Sequence, residues 1–187
     1  MHTWEKLESE CKSCTNCPLH ETRSNVVFGV GNRSADILFI GEGPGESEDR
    51  TGQPFVGRAG KLLDEMLKII GLSRDENIFI ANIVKCRPPN NRDPLPAERD
   101  ACMPWLRAQI DLMNPKIIVC LGRIAAGAII DRDLKISVDH GKWYTKDHIK
   151  MMALYHPAAL LRDPNRRPDT FVDLKSLQRM IKEQQCK

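Results

Sequence analysis

The stretch Ile37-Leu38-Phe39-Ile40-Gly41-Glu42-Gly43-Pro44-Gly45 decides the fold. Large apolar residues in a row, without period-two alternation, predict a strand covered on both faces, and the glycine-rich run behind it predicts a turn at its carboxyl end. Ile78 to Ala81, Ile117 to Leu121 and Met151 to Tyr155 read the same way. Between the first two runs, Ala59, Leu62, Leu63, Met66, Leu67 and Ile70 recur at helical offsets, with Gly71 as the stop. Trp105, Leu106, Ile110 and Met113 mark a helix after Pro96, in which Pro104 implies a kink or a late start. A short helix is expected over Ile124 to Ile129, and Thr170 with Asp173 resembles a capping box opening Phe171 to Ile181. This alternation predicts an α/β chain: a three-layer α/β/α fold around a central, mostly parallel four-stranded sheet. Ligands of such folds bind beyond the carboxyl ends of the strands. Gly41 to Gly45, Asn82, and His156-Pro157-Ala158-Ala159 fall at those ends and should converge on one crevice.

Length sets the frame, because 187 residues suffice for one domain spanning residues 1–187. No N-terminal segment resembles a signal peptide, and no run approaches the roughly 18 apolar residues of a spanning helix, so the expectation is a cytoplasmic chain with no membrane partner. The formal charge is +3, with 28 basic residues against 25 acidic ones, which by itself specifies no nucleic-acid partner. Basic residues gather at Lys85, Arg87 and Arg92 and again at Arg162, Arg166 and Arg167, a pattern that ordinary solvated loops also produce.

In a reducing compartment an odd total of seven cysteines favours ligands over a disulfide framework. Cys14 and Cys17 form a Cys-x-x-Cys, and Cys86 and Cys102 follow about seventy residues on, so four thiolates from distant segments could bind zinc or a 4Fe-4S cluster. Only one of the two pairs is close, which tilts toward the cluster, while Cys11 and Cys14 form an overlapping second Cys-x-x-Cys. Cys120, inside an apolar run, reads as a core thiol. The loop from Gly41 to Asp49 lacks the Lys-Ser/Thr of a phosphate loop and carries Glu42, Glu46, Glu48 and Asp49, which would repel phosphates. Its glycines instead allow close backbone approach to a planar, neutral ligand beside carboxylates. His156, Asn82 and Phe55 each have a purely structural reading taken singly. Their joint placement at one sheet edge makes them site candidates.

Ordered along the chain, Cys14-Thr15-Asn16-Cys17-Pro18-Leu19, Gly41-Glu42-Gly43-Pro44-Gly45 with Glu48-Asp49, Gly52-Gln53-Pro54-Phe55-Val56-Gly57, Asn82 to Pro88, Cys102, and His156-Pro157-Ala158-Ala159-Leu160-Leu161 resemble the motifs of the family 4 uracil-DNA glycosylases of bacteria and archaea, which carry a 4Fe-4S cluster. The resemblance covers nearly the whole chain. It implies a monomer that acts on uracil-containing DNA, with the cluster on Cys14, Cys17, Cys86 and Cys102 and with Cys11 left free.

The resemblance also implies roles. Uracil must leave the base stack, at a cost of a few kcal/mol. Leu160 or Leu161 matches the apolar wedge of the superfamily, with Arg162, Arg166 and Arg167 near the phosphates. Gly41, Glu42 and Gly43 border the base, Phe55 stacks on it for about 1 to 3 kcal/mol, and Asn82 donates to O4 and accepts from N3–H. Gly45 stands where the long-known enzymes carry a tyrosine that blocks thymine. His156, as a neutral imidazole, donates to uracil O2 as the anion leaves, while a carboxylate favours the sugar cation and orients water. Gly43 stands where the classical aspartate lies, so Glu42 is the first choice for that carboxylate and Glu48 the second. A DNA-binding module that keeps the fold and cluster but does no chemistry is the alternative. A related enzyme that traps the abasic sugar uses a histidine near this turn, and Pro88 to Pro96 contains none.

Overall fold

The computed structural model describes residues 3–185, so Cys186 lies outside the described residues. Among them, one sheet contains β1 (Val30–Gly31), β2 (Ile37–Gly41), β3 (Phe79–Asn82), β4 (Ile117–Leu121), β5 (Trp143–Lys146) and β6 (Ile149–Leu154), in the order β1-β3-β2-β4-β6-β5. The four inner strands run parallel and match the four apolar runs of the sequence. The expected four-stranded sheet is corrected at its edges, where β1 pairs antiparallel with β3 and β5 antiparallel with β6. Neither edge strand has a double-sided apolar run: β1 is a Val-Gly pair, and β5 passes from half-buried to exposed positions. A strand bordering solvent need not be apolar on both faces.

Eight helices surround the sheet among the described residues: α1 (Trp4–Lys12), α2 (Glu46–Thr51), α3 (Arg58–Ile69), α4 (Pro96–Met113), α5 (Arg123–Ile129), α6 (Ile136–Asp139), α7 (Pro157–Arg162) and α8 (Arg167–Gln185). Alternate strand residues feed two apolar layers. Leu38, Ile40, Phe79, Ala81, Ile118 and Cys120 pack with Leu7 of α1, Leu106 of α4 and Ala125 of α5. Phe39, Ile80, Val119 and Met152 pack with Leu63 and Leu67 of α3, Leu160 of α7 and Leu177 of α8. The three-layer α/β/α architecture follows from that division.

Two helix starts differ from expectation. Helix α4 begins at Pro96 and runs through Pro104 without interruption. Pro96 supplies a preset φ at the first helical position, and the Glu98 carboxylate accepts from the Leu95 N–H at 2.7 Å. The bond that Pro104 forfeits would have ended on the carbonyl of exposed Asp100, where water can replace it. Helix α8 begins at Arg167, ahead of the supposed capping box. Thr170 instead donates back to the Arg166 carbonyl at 2.9 Å, and Asp173 binds His140 Nδ1 at 2.7 Å.

The loop Pro88 to Pro96 carries one 3-10 turn, in which Asn90 and Asn91 take positive φ of 55° and 54°. Among the described residues no helix is long and apolar enough to cross a membrane. Parallel register brings Gly41 beside Asn82 at the carboxyl end of the sheet, and the chain turns from there into the loops that build the site. Leu38 is fully buried in the middle of β2. Its replacement by alanine is expected to lower stability by about 2 to 5 kcal/mol, measured as a shift of the urea unfolding midpoint at constant slope.

Candidate active site

A crevice of about 510 Å³ opens beyond the carboxyl ends of the parallel strands, within the size range of small-ligand sites. Glu42, Gly43, Glu48, Phe55, Asn82 and His156 all line it, so the residues singled out from three separate strand ends do meet. Gly41 lies directly behind them. A Cβ there would come within 2.4 Å of Asn82 Oδ1 and 2.6 Å of the Phe55 ring, so only glycine leaves room for both side chains.

Asn82 is 1% exposed, and its Oδ1 is buried with no hydrogen-bond partner among the described residues. Such an orphaned acceptor costs about 1 to 3 kcal/mol. Its backbone is firmly held: β2 and β3 pair across Gly41 and Asn82, and Lys85 Nζ donates to the Asn82 carbonyl at 3.0 Å. The main chain is thus fixed while the side-chain oxygen is left unsatisfied.

His156 caps α7, with its Nδ1 accepting from the Ala158 N–H at 3.1 Å. That bond leaves the proton of a neutral ring on Nε2. Burial, and then the Arg162 charge, push its pKa down to about 4 against the opposing pull of Glu48. The imidazole is therefore neutral at pH 7, and its ring lies 5.5 Å from that of Phe55 at an angle of 31°.

The two carboxylates are differently employed. Glu48 Oε1 accepts from the N–H groups of Val56 and Gly57, both at 2.9 Å, and Oε2 from that of Gly45 at 3.1 Å. A Cβ on Gly45 would approach Glu48 Oε2 to 2.8 Å, so a side chain there would require that carboxylate to shift. Neighbouring Asp49 ties the loop before β1 by accepting from the Ser24 N–H at 2.9 Å. No hydrogen bond or ion pair engages the Glu42 carboxylate among the described residues. Its pKa is raised, first by burial and then by Asp93, against the partial relief of Arg123, Arg99 and Arg162.

At the rim, Arg162 is exposed, and Arg166 stacks its guanidinium 5.0 Å above the Tyr155 ring. Arg167 turns away, its Nε reaching the Leu160 carbonyl at 3.4 Å. Of the two leucines proposed as a wedge, Leu160 is 1% exposed and belongs to the core layer, whereas Leu161 is only partly buried. Leu160 is thus withdrawn from any surface role, because α7 turns it onto α3 and α8. Arg123 and Tyr155 also line the crevice, and Arg123 pairs with Asp93. Sequence reasoning missed both. The signal was available, since Gly122-Arg123 follows β4 just as Glu42 follows β2.

Cys11, Cys14, Cys17, Cys86 and Cys102 line one small pocket on the other side of Lys85. N–H groups point at three of the sulfurs, each at 3.3 Å: Trp105 Nε1 to Cys14, Arg23 Nη1 to Cys86 and the Lys85 amide to Cys102. No such donor reaches Cys11 among the described residues, and burial pushes its thiol up to about 12. Among the described residues, no three His, Cys, Asp or Glu side chains are close enough to hold a single ion. Cys120 is fully buried within β4, and burial raises its pKa, as a core thiol requires. Lys85 Nζ, fully buried, also donates to Gln109 Oε1 at 2.6 Å, and burial lowers its pKa to about 8.

Residues 28–177 match the family model described as the uracil DNA glycosylase superfamily, and the chain belongs to that superfamily. It is 47% identical over 185 residues to the type-4 uracil-DNA glycosylase of Archaeoglobus fulgidus, covering 95% of this chain and 92% of that protein. Identity to the type-4 uracil-DNA glycosylase of Thermotoga maritima is 44% over 193 residues, covering 98% and 100%. For that of Sulfurisphaera tokodaii it is 47% over 189 residues, covering 96% and 86%. Within the superfamily, the chain belongs with the type-4 uracil-DNA glycosylases.

Proposed function

We propose that the protein flips uracil out of DNA and hydrolyses its N-glycosidic bond, leaving free uracil and an abasic site. The observation that carries this reading is the buried, unpartnered Oδ1 of Asn82, which lines one crevice together with Phe55 and His156. An orphaned acceptor asks for a donor. Uracil offers N3–H to it and O4 to the amide N–H, whereas cytosine presents a lone pair at N3 and repels it. That mismatch discriminates by about 1 to 3 kcal/mol for each unpaired group.

Once the base is out, Phe55 stacks on it, and Gly41, Glu42 and Gly43 border it. The Nε2–H of His156 donates to O2 as negative charge gathers on the leaving uracil. A neutral imidazole suits this step, because an ordinary hydrogen bond is strengthened in a dry site as charge develops. Glu42 takes the role of the carboxylate that stabilises the oxocarbenium-like sugar and orients water. The freedom of its side chain supports that choice over Glu48, whose oxygens are occupied in fixing the loop around Phe55. Glu48 is accordingly assigned to positioning. Leu161 fills the gap left in the stack, and Arg162 and Arg166 with Arg123 contact phosphates. The same reading has residues 1–187 act as one domain, a monomer in the cytoplasm.

Cys14, Cys17, Cys86 and Cys102 would hold a 4Fe-4S cluster, and the donor chemistry supports the fit. Soft thiolates that share negative charge would accept N–H bonds from Trp105, Arg23 and Lys85, and the buried Lys85 ammonium, bonded to the Asn82 carbonyl and Gln109, has no carboxylate partner among the described residues. The group would supply a cross-link and no reacting atom. It would join the segment after α1 to the loop behind Asn82 and to α4.

Purified protein is expected to release free uracil from a uracil-containing oligonucleotide without cutting an undamaged strand. Asn82→Ala should lower kcat/KM by about 10 to 100-fold and His156→Ala by about 100 to 1,000-fold, with DNA affinity retained in gel shifts; wild-type turnover in either variant removes that residue from the site. As Glu42 must be ionised and its pKa is raised, kcat/KM should climb with pH on an acid limb that Glu42→Gln abolishes. His156 adds no limb near its ordinary 6.5, because it is already neutral above about 4. Finally, Cys86→Ser and Cys102→Ser should lower bound iron and sulfide and the melting temperature together, while Cys11→Ser keeps a full complement of iron.

A further inference from the structure

Phe55 has a positive φ of 53°, a conformation that an aromatic side chain rarely adopts. Something must hold it there, and the segment from Pro54 to Gly57 is gripped from both sides. Its N–H groups at Val56 and Gly57 are taken by Glu48, as described above. Its carbonyls at Pro54 and Phe55 are taken by Arg74, from the loop between α3 and β3. Arg74 Nη1 donates to the Pro54 carbonyl and Nη2 to the Phe55 carbonyl, both at 2.9 Å.

The guanidinium is itself aimed by Asp64 of α3, whose Oδ1 accepts from Nε at 3.0 Å and from Nη2 at 2.7 Å. Arg74 is 15% exposed and Asp64 51%, so the bonds to the carbonyls lie on the sheltered side of the side chain and the ion pair on the wet side. Gly60 closes the cage, since a Cβ there would meet the Phe55 carbonyl oxygen at 1.9 Å. Only a planar fork can straddle two successive carbonyls while keeping a second edge for a carboxylate. A lysine could reach one of them.

We propose that Arg74 is a positioning residue for the base-stacking platform: by fixing the carbonyls of Pro54 and Phe55, it holds the Phe55 ring in place opposite His156. This rests on the reading of Phe55 as the surface on which flipped uracil stacks. Stacking acts on bound substrate and transition state alike, so loosening the platform raises KM and leaves kcat nearly unchanged. A residue that merely stabilised the fold would lower the melting temperature and the active fraction with KM unmoved.

The test is steady-state uracil release from a single-stranded oligonucleotide by wild type, Phe55→Ala, Arg74→Met, Arg74→Lys and the Phe55→Ala/Arg74→Met double variant, with melting temperatures taken in parallel. Arg74→Met is expected to raise KM about tenfold with kcat within about threefold, and Arg74→Lys to fall between it and wild type. On the Phe55→Ala background, Arg74→Met should change KM by less than about twofold, because its effect passes through a ring already removed. An unchanged KM in Arg74→Met, or an equal rise with and without Phe55, overturns the proposal while the stacking role stands. If Phe55→Ala leaves KM at the wild-type value, the stacking role itself fails and the proposal with it. Should Arg74→Met not fold, Arg74→Lys carries the same comparison on both backgrounds.

Discussion

Burying a side-chain oxygen without a partner costs about 1 to 3 kcal/mol, and the fold keeps Asn82 Oδ1 in that condition at the end of β3. Among the described residues, the neighbouring features supply that oxygen with no partner. Gly41 stands opposite it because a methyl group would collide with the oxygen. The β2–β3 ladder fixes its main chain from one side and the Lys85 ammonium from the other. Phe55 and His156 form walls of the same crevice. The stability of the two-layer core must cover this penalty, and binding of a ligand with a suitable N–H relieves it.

Electrostatics then separates groups that look alike in the chain. Glu42 and Glu48 belong to one glycine-rich loop, yet three backbone N–H groups occupy Glu48, while Glu42 is half-buried among arginines and one repelling aspartate. One becomes part of the frame and the other remains available for chemistry. His156 is treated in a comparable way: a backbone N–H takes Nδ1, and desolvation keeps the ring neutral. The cysteine pocket contributes at one remove. Lys85 places its amide on the Cys102 sulfur and its ammonium on the Asn82 main-chain carbonyl, so one residue bridges the cysteine pocket and the end of β3.

Much of this was legible in the chain. Runs such as Ile117 to Leu121 read as strands buried on both sides, and parallel pairing of such strands sends their polar ends to one edge, which is why Gly41, Asn82 and His156 could be placed together. The edge strands were not legible, because β1 and β5 face solvent and carry no such run. The start of α8 was misread since Thr170 and Asp173 have the spacing of a capping box but spend their polar groups on Arg166 and His140. Arg123 and Arg74 escaped notice because an arginine in a loop has no local pattern, and its meaning depends on what lies across space.

The sequence by itself determined the layered α/β fold, the crevice at the strand ends and the residue types that could work there, since periodicity and strand-end position are local properties of a chain. Tertiary structure alone decided which Glu is free, which leucine of Leu160 and Leu161 faces outward, and which N–H groups meet the sulfurs. Each of those outcomes depends on contacts between different segments, some near in the chain and some far: Glu48 with Val56 and Gly57, Leu160 with α3 and α8, and Arg23 and Trp105 with Cys86 and Cys14. A hydrogen bond or a packed face is a fact of distance in space, and only the folded chain sets that distance.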